Sequence, residues 1–228
     1  MNTRSKRYKN SVEKLTDNEP QSIDSAVQQL NNFQSAKFDE TVELSVSLGV
    51  DPKQTSQAVR GKVNLPHGSG KDVKVLVFTE NAEEATAAGA DFAGLDELVK
   101  KVKDGWLDFD VALSTTSAMK VVRSVARVLG PRGLMPTPKA GTVTDDLSSA
   151  IKEVKAGRVE FKMDKTGAMA VVVGKKSFSD EQLADNTKAA IEAVKESRPD
   201  GFKGKFVKSV HLSCTMSPSL PLDTALLN

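Results

Sequence analysis

Residues Leu65 to Phe78 read LPHGSGKDVKVLVF, and the change of texture inside this stretch decides the fold. Pro66, Gly68 and Gly70 interrupt any regular periodicity. Directly after them, Val73 to Phe78 is a near-continuous apolar run, the pattern of a strand covered on both faces. Upstream the texture differs. Val42, Leu44, Val46 and Leu48 alternate with Thr41, Glu43, Ser45 and Ser47, which predicts a strand with one wet face. Before that strand, Ile23, Ala26, Val27, Leu30 and Phe33 recur at helical spacing behind Ser22, a good cap, so a helix is expected to about Ala36. Asp51-Pro52 opens a short helix, and Val59 to Leu65 returns as a strand.

Downstream of the break, short helices alternate with apolar strands: Ala82 to Ala88 is alanine-rich, Leu95 to Val102 amphipathic, Phe109 to Leu113 apolar and Met119 to Leu129 helical. Such alternation predicts a small parallel sheet between helices. Past Gly157 the period-two texture resumes. Val159, Phe161 and Met163, the turn Asp164-Lys165-Thr166-Gly167, then Met169, Val171 and Val173 read as a hairpin. Ser179 with Gln182 forms a capping box for a helix whose inner face carries Leu183, Thr187, Ala190, Ile191 and Val194. Arg198-Pro199-Asp200-Gly201 ends that helix. A last strand, Phe206 to Cys214, places Val210, Leu212 and Cys214 on one face and Ser209, His211 and Ser213 on the other.

The two ends therefore share one texture and the middle has another, which predicts an insertion. The expected fold class is α/β. Residues 1–67 and 159–228 close into a discontinuous α+β domain of antiparallel sheet and helices. Residues 68–158 form an inserted three-layer, Rossmann-like α/β domain, hinged at Pro66–Gly70 and near Gly157.

With 39% hydrophobic and 27% charged residues, and no apolar run of membrane length, the chain reads as a soluble globular protein. The basic N-terminus MNTRSKRYKN lacks the apolar segment of a secretory signal. Cys214 is the only cysteine, which excludes an internal disulfide and fits a reducing compartment. A net charge of +2 announces no polyanion partner, but the charge is unevenly spread. Arg4, Lys6, Arg7 and Lys9 occupy an acid-free start, and Lys203, Lys205 and Lys208 an acid-free stretch between Gly201 and Leu222. The span from Gly68 to Arg158 holds as many acids as cations.

Catalytic and cofactor motifs do not assemble. GSGK at Gly68 to Lys71 resembles a phosphate loop, but Leu65 stands where the first glycine belongs, Asp72 where Ser or Thr should hold magnesium, and the strand follows the glycines. No GxGxxG order surrounds Gly89, Ala93 and Gly94. Ser114 to Ser117 sits between strand and helix, where hydroxyls cap. Asp108 and Asp110 share a side, more in keeping with a solvated strand edge than an acid/base pair. His67 and His211 have no ligand set around them. No catalytic residue, metal or cofactor is therefore expected.

RNA binding is better supported. Lys37-Phe38, Lys162, Lys165, Lys203, Lys205 and Thr215-Met216 all fall at element ends of the split domain, pairing cations for phosphates with a ring and small hydroxyls for shape. The loop Val128 to Val143, VLGPRGLMPTPKAGTV, is stiffened by prolines and glycines and displays Arg132 and Lys139. Its place in the charge-balanced insert gives these two a bracing role or a secondary RNA contact. A solvated cationic rim, an RNA-binding regulator and a nucleotide-binding enzyme remain alternatives at this level.

Eleven segments carry a resemblance along nearly the whole chain: SKRY at Ser5, AKFDETVEL at Ala36, LGVDP at Leu48, VRG at Val59, LPHGSG at Leu65, DGW and DFD from Asp104, LGPRGLMP at Leu129, PKAGTV at Pro138, AGRVEF at Ala156, DKTGA at Asp164 and TM at Thr215. The chain resembles the bacterial-type family of large-subunit ribosomal protein one, the mobile stalk protein beside the transfer-RNA exit site. The resemblance implies a non-enzymatic ribosomal component, cytoplasmic and ribosome-associated, without a membrane partner and monomeric off the ribosome. Its implied partners are stalk ribosomal RNA, exit-site transfer RNA and its own messenger RNA, whose translation it would repress. It places the RNA-gripping surface at Lys37, Phe38 and Thr41, at Lys162, Asp164, Lys165 and Gly167, and at Thr215, Met216 and Ser217. The chain departs from the family pattern at Ser217, usually Gly, and at Met163, Ala58 and Thr137, each usually Asn.

Overall fold

A computed structural model describes residues 4–15, 19–52, 54, 57–138, 141–199 and 202–224. The alternating stretch Thr41–Leu48 forms a strand (β1) that buries Val42, Leu44, Val46 and Leu48. It pairs antiparallel with Ala168–Lys175 (β7) on one side and with Val207–Cys214 (β8) on the other, and Leu220–Leu222 (β9) adds an edge in the order β7-β1-β8-β9. Ile23–Asn31 (α2) and Asp180–Glu196 (α8) supply Ala26, Val27, Leu30, Leu183, Ala190, Ile191 and Val194 to the core beneath that sheet. The opposite face carries Ser45, Ser47, Ser209 and His211. Lys6–Glu13 (α1) buries only Ser11. A second, two-stranded sheet joins Arg60–Asn64 (β2) to Arg158–Lys162 (β6).

The helix α8 starts where Ser179 Oγ accepts the Gln182 amide and Gln182 Oε1 accepts the Ser179 amide, a reciprocal cap. Inside it, the fully buried Asn186 ties the chain down before the insert. Its Nδ2 donates to the Gly68 and Val173 carbonyls at 3.0 and 2.7 Å, and its Oδ1 accepts the His67 amide at 3.1 Å. A Cβ on Gly70 would meet Lys175 and the Phe178 ring at 2.8 Å. Residues 67–70 consequently belong with the first compact unit. The chain divides into Met1–Gly70 with Val159–Asn228, and Lys71–Arg158.

The second unit has three layers. Val75–Phe78 (β3) lies between Phe92–Gly94 (β4) and Val111–Ser114 (β5), all parallel. Strand alternation splits its side chains. Leu76 and Phe78 pack with Leu98, Val99 and Val102 of Asp96–Lys103 (α4) and with Val122, Val125 and Leu129. Val75 and Val77 pack with Ala85 of Ala82–Ala87 (α3) and with Ala150, Ile151 and Val154 of Leu147–Lys155 (α7).

Four sequence expectations are corrected. The segment 158–175 is not a hairpin: the turn at Asp164 passes the chain from β6, which pairs with β2, to β7, which pairs with β1. Leu48 donates to the Gly167 carbonyl at 2.8 Å as soon as the turn ends, so β1 takes the strand that a hairpin would have claimed. The expected helix 119–129 is divided into Met119–Val122 (α5), a 3-10 turn Arg123–Val125 and Ala126–Leu129 (α6). Val121, Val122 and Val125 crowd the preceding helical turn with β-branched side chains, which lowers the preference for a continuous α-helix. Cys214 does not end the sheet, because Leu220-Pro221-Leu222 follows, its proline tolerated on an edge strand. The helix α2 stops at Asn31, with Phe33 buried just beyond it. The short helix expected at Asp51-Pro52 includes residues outside those described, as do Asp200 and Gly201.

Candidate nucleic-acid interface

At the end of the sheet where β1 begins, two segments distant in sequence are laced together. The Thr41 amide donates to Thr215 Oγ1 at 3.1 Å, and the Thr215 amide donates to the Thr41 carbonyl at 3.0 Å. Lys175 Nζ donates to Thr41 Oγ1 at 2.9 Å. Ser177 binds the Asp39 carboxylate through its amide and hydroxyl, and Lys176 donates through Nζ to the Phe33 carbonyl. Under this lacing lies Glu40, 2% exposed, whose two carboxylate oxygens accept the Ala36 and Met216 amides at 2.6 and 3.0 Å. On top stand Phe38 and Met216, 53% and 48% exposed, which with Val12 are the exposed large hydrophobics among the described residues. Phe38 follows the Glu40-bound Ala36 amide by two residues and the Met216 amide is itself bound by Glu40, so both exposed apolar groups lie on segments tied to one carboxylate.

Ser217 continues the turn. Its Oγ accepts the Cys214 amide at 2.9 Å and donates to the Pro218 carbonyl at 2.9 Å, so the hydroxyl folds back on its own turn instead of projecting outward. Burial pushes the Cys214 thiol up to about 11, above its ordinary value, which leaves it protonated and inert at neutral pH.

The opposite end of β1 has another character. Seven strand steps separate Thr41 from Leu48, about 23 Å. Here the Asp164 turn is organised by its own side chain. Oδ1 accepts the Thr166 amide, the Thr166 hydroxyl and the Ala168 amide at 2.7, 2.6 and 2.9 Å. The Thr166 hydroxyl first, then these amides, holds the Asp164 carboxyl below its ordinary 3.8. Gly167 follows at φ +81°, a conformation that strains other residues. The turn leaves Lys162 and Lys165 exposed. Gly49 brings a second strip close: its amide donates to the Phe206 carbonyl at 2.7 Å, and a Cβ there would sit 2.2 Å from the Lys205 carbonyl. Lys203 and Lys205 are exposed on that strip.

Between the ends, the open sheet face forms a shallow dish lined by Ser45, Ser47, Lys162, Asp164, Ala170 and His211. Ser45 stands opposite His211 on one side and Ala170 on the other. Ser45, Ser47 and Ala170 are the small side chains of this lining, and Lys162, Asp164 and His211 its charged and polar ones.

Residues 30–218 match the ribosomal protein L1p/L10e family. The chain is 49% identical over 225 residues to the large ribosomal subunit protein uL1 of Kosmotoga olearia, covering 98% of this chain and 97% of that one. It is 49% identical to the uL1 of Thermosipho africanus over 98% and 97% of the two chains, and 48% to that of Thermus thermophilus over 96% of each. This chain belongs to that family. Its two units, an antiparallel sheet with helices and a parallel α/β sandwich, are those of the family's α/β fold.

The residues expected to touch RNA therefore fall into two groups, which the structure does not gather into one cluster. Lys37, Phe38, Thr41, Thr215, Met216 and Ser217 share the first end. Lys162, Asp164, Lys165, Gly167, Lys203 and Lys205 share the second. Arg132 lies in the second unit, exposed on a loop whose Leu134 and Met135 pack inward and whose Thr142 Oγ1 accepts the Thr137 amide at 2.8 Å. Lys139 lies outside the described residues. Asp108 and Asp110 are each tied to a lysine, Lys74 at 2.8 Å and Lys71 at 2.5 Å. Burial pushes Asp110 up, but Lys71 and the Lys74 amide outweigh it and keep the carboxyl below its ordinary value, a poor proton donor. Thr115 Oγ1 accepts the Ala118 amide, as expected of a capping hydroxyl.

Sequence reasoning missed Glu40 and Lys175 as supports of the first end, and the serine face of β1 as part of the surface. The alternation of serines with buried aliphatics was a usable signal for the face. Nothing local signalled Glu40, whose partners lie 4 and 176 residues away. Among the described residues no helix is long and apolar enough to cross a membrane, and no group of three or more His, Cys, Asp or Glu gathers for a metal ion.

Proposed function

We propose that this chain is a structural, non-enzymatic component of the large ribosomal subunit, acting in the cytoplasm, that holds stalk ribosomal RNA against the open sheet face of its discontinuous domain. The observation that carries this reading is the pair of exposed side chains, Phe38 and Met216, standing on the hydrogen-bonded Thr41–Thr215 base. The relatives' names, which place them in the large subunit, support it. In this reading Lys162, Lys165, Lys203 and Lys205 meet phosphates, and the Phe38 end meets ribose and base surfaces. Ordering that end before binding lowers the entropy cost of association.

The proposal extends to three finer roles. The family's mobile-stalk role is extended here to assisting release of deacylated transfer RNA, with the inserted domain moving about the two chain crossings at 70/71 and 158/159. Arg132 and Lys139 brace that domain or touch RNA secondarily. Translational repression would use the same surface on a messenger segment that imitates the stalk fold. Titration of the monomeric protein with a stalk ribosomal RNA fragment and with a messenger leader tests these statements. Tight, salt-sensitive binding of the first is expected, and binding no better than to an unrelated duplex overturns the reading. Co-sedimentation with large subunits separates a ribosomal component from a free regulator.

A further inference from the structure

We infer that Glu40 is a positioning residue for RNA recognition: its carboxylate clamps the Phe38 loop and the Thr215–Met216 turn to each other, so that both present their side chains together. The inference rests on the reading of this end of the sheet as an RNA surface.

Glu40 is the one carboxylate in the buried class among the described residues. Taking a carboxylate out of water is costly unless its oxygens find donors. Both do, and both donors are main-chain amides of exposed segments. Oε1 accepts from Ala36, just before Lys37 and Phe38, and Oε2 accepts from Met216 itself. The Glu40 carbonyl meanwhile accepts the Lys176 amide at 2.8 Å, which fixes the residue to the neighbouring strand end. One side chain thus spans two segments far apart in sequence, each carrying one of the exposed apolar groups. A hydrophobic residue at position 40 would pack in the core but leave both amides without an acceptor. A carboxylate has one acceptor oxygen for each, and no other side chain of that length offers two acceptors and no donor.

Glu40→Gln isolates this function because it keeps shape and reach while replacing one acceptor oxygen with a donor NH2. One of the two amides would then face a donor, and its segment would be released. With the stalk ribosomal RNA fragment as probe, the full-length variant is expected to bind about tenfold or more weakly. The slope of log K against log salt should stay that of the wild type, because no phosphate contact is removed. In the free protein, the amide proton resonances of Ala36 and Met216 should shift, a signature that a general loss of stability would not single out.

Wild-type affinity in Glu40→Gln, or unshifted Ala36 and Met216 resonances, overturns the clamp while leaving the RNA reading intact. Failure of the wild type itself to bind the fragment overturns the RNA reading and the proposal with it. If Glu40→Gln does not fold, amide exchange in the wild type decides. Ala36 and Met216 should both be protected despite lying outside helices and strands, and exchange of either at the rate of an open loop overturns the clamp.

Discussion

The two ends of β1 solve different problems with different materials. Around Thr41 a buried carboxylate, paired threonines and three lysine or serine side chains tie neighbouring segments to one another, and Phe38 and Met216 stand exposed beside Lys37. Around Leu48, one aspartate shapes a turn and the lysines are left free in water. The first arrangement suits recognition of shape, where a misplacement of an ångström loses the contact. The second suits attraction of charge, which falls off gently with distance and tolerates mobile side chains. On the proposed reading, affinity and discrimination fall mainly to opposite ends of one strand, about 23 Å apart.

The largest effect should come from removing the exposed ring. Phe38→Ala is expected to cost about 1–3 kcal/mol of RNA affinity, the range for loss of a stacked ring, with little change in the salt slope. A filter-binding titration in which the slope flattens and the affinity holds would reverse the roles assigned to the two ends. Thr215→Val comes next. It removes the acceptor of the Thr41 amide, and a lost hydrogen bond of this kind costs about 1 kcal/mol. Unchanged affinity would show that the lacing is ornamental to recognition.

The lysine end should respond in slope before affinity. Replacing Lys165 and Lys205 by alanine together should reduce the slope of log K on log salt by nearly two ions, about 0.7–0.9 each, and weaken binding modestly at moderate salt. An unchanged slope would place both lysines off the phosphate path. The turn that carries Lys165 adds a pH test. Because the folded-state carboxyl of Asp164 titrates below its ordinary 3.8, the order it contributes is complete above that value and is lost as the pH falls through the lower, folded one. The Thr166 and Ala168 amide resonances should therefore hold steady from neutral pH down to about the ordinary carboxylate value and move only below it. Movement already near neutrality would mean that some other group shapes the turn.

Much of this architecture is legible in the residues. Period-two alternation located β1, β7 and β8, the apolar run located β3, and the Ser179–Gln182 box located the start of α8, because each depends on neighbours a few positions away. The failures share the opposite cause. The Asp164 turn looks like a hairpin because local chemistry is the same whether its strands pair with each other or with third parties. The division of helix 119–129 depends on β-branched crowding that a hydrophobic period ignores. Glu40 reads as one more acid in AKFDETVEL, since its burial and its Met216 partner exist only after β1 and β8 have paired. Lysines and hydroxyls could be named as candidate binding residues from sequence, but their division between two ends could not, because strand pairing and register decide it.

Ser217→Gly should have the smallest effect and is the finest probe of the first end. The serine's Cβ could be read as an obstacle to close approach. The hydroxyl argues otherwise, since it accepts the Cys214 amide and donates to the Pro218 carbonyl, closing the turn from inside. Glycine would lose both bonds and widen the conformations open to the unbound turn, a cost of about 0.5–1 kcal/mol. Affinity for the stalk fragment should therefore fall by a few fold, with the salt slope intact and Met216 amide exchange faster in the free protein. A gain in affinity with unchanged exchange would mean instead that the side chain obstructs the partner, and that preorganisation at this end is carried by Glu40 and the threonine pair alone.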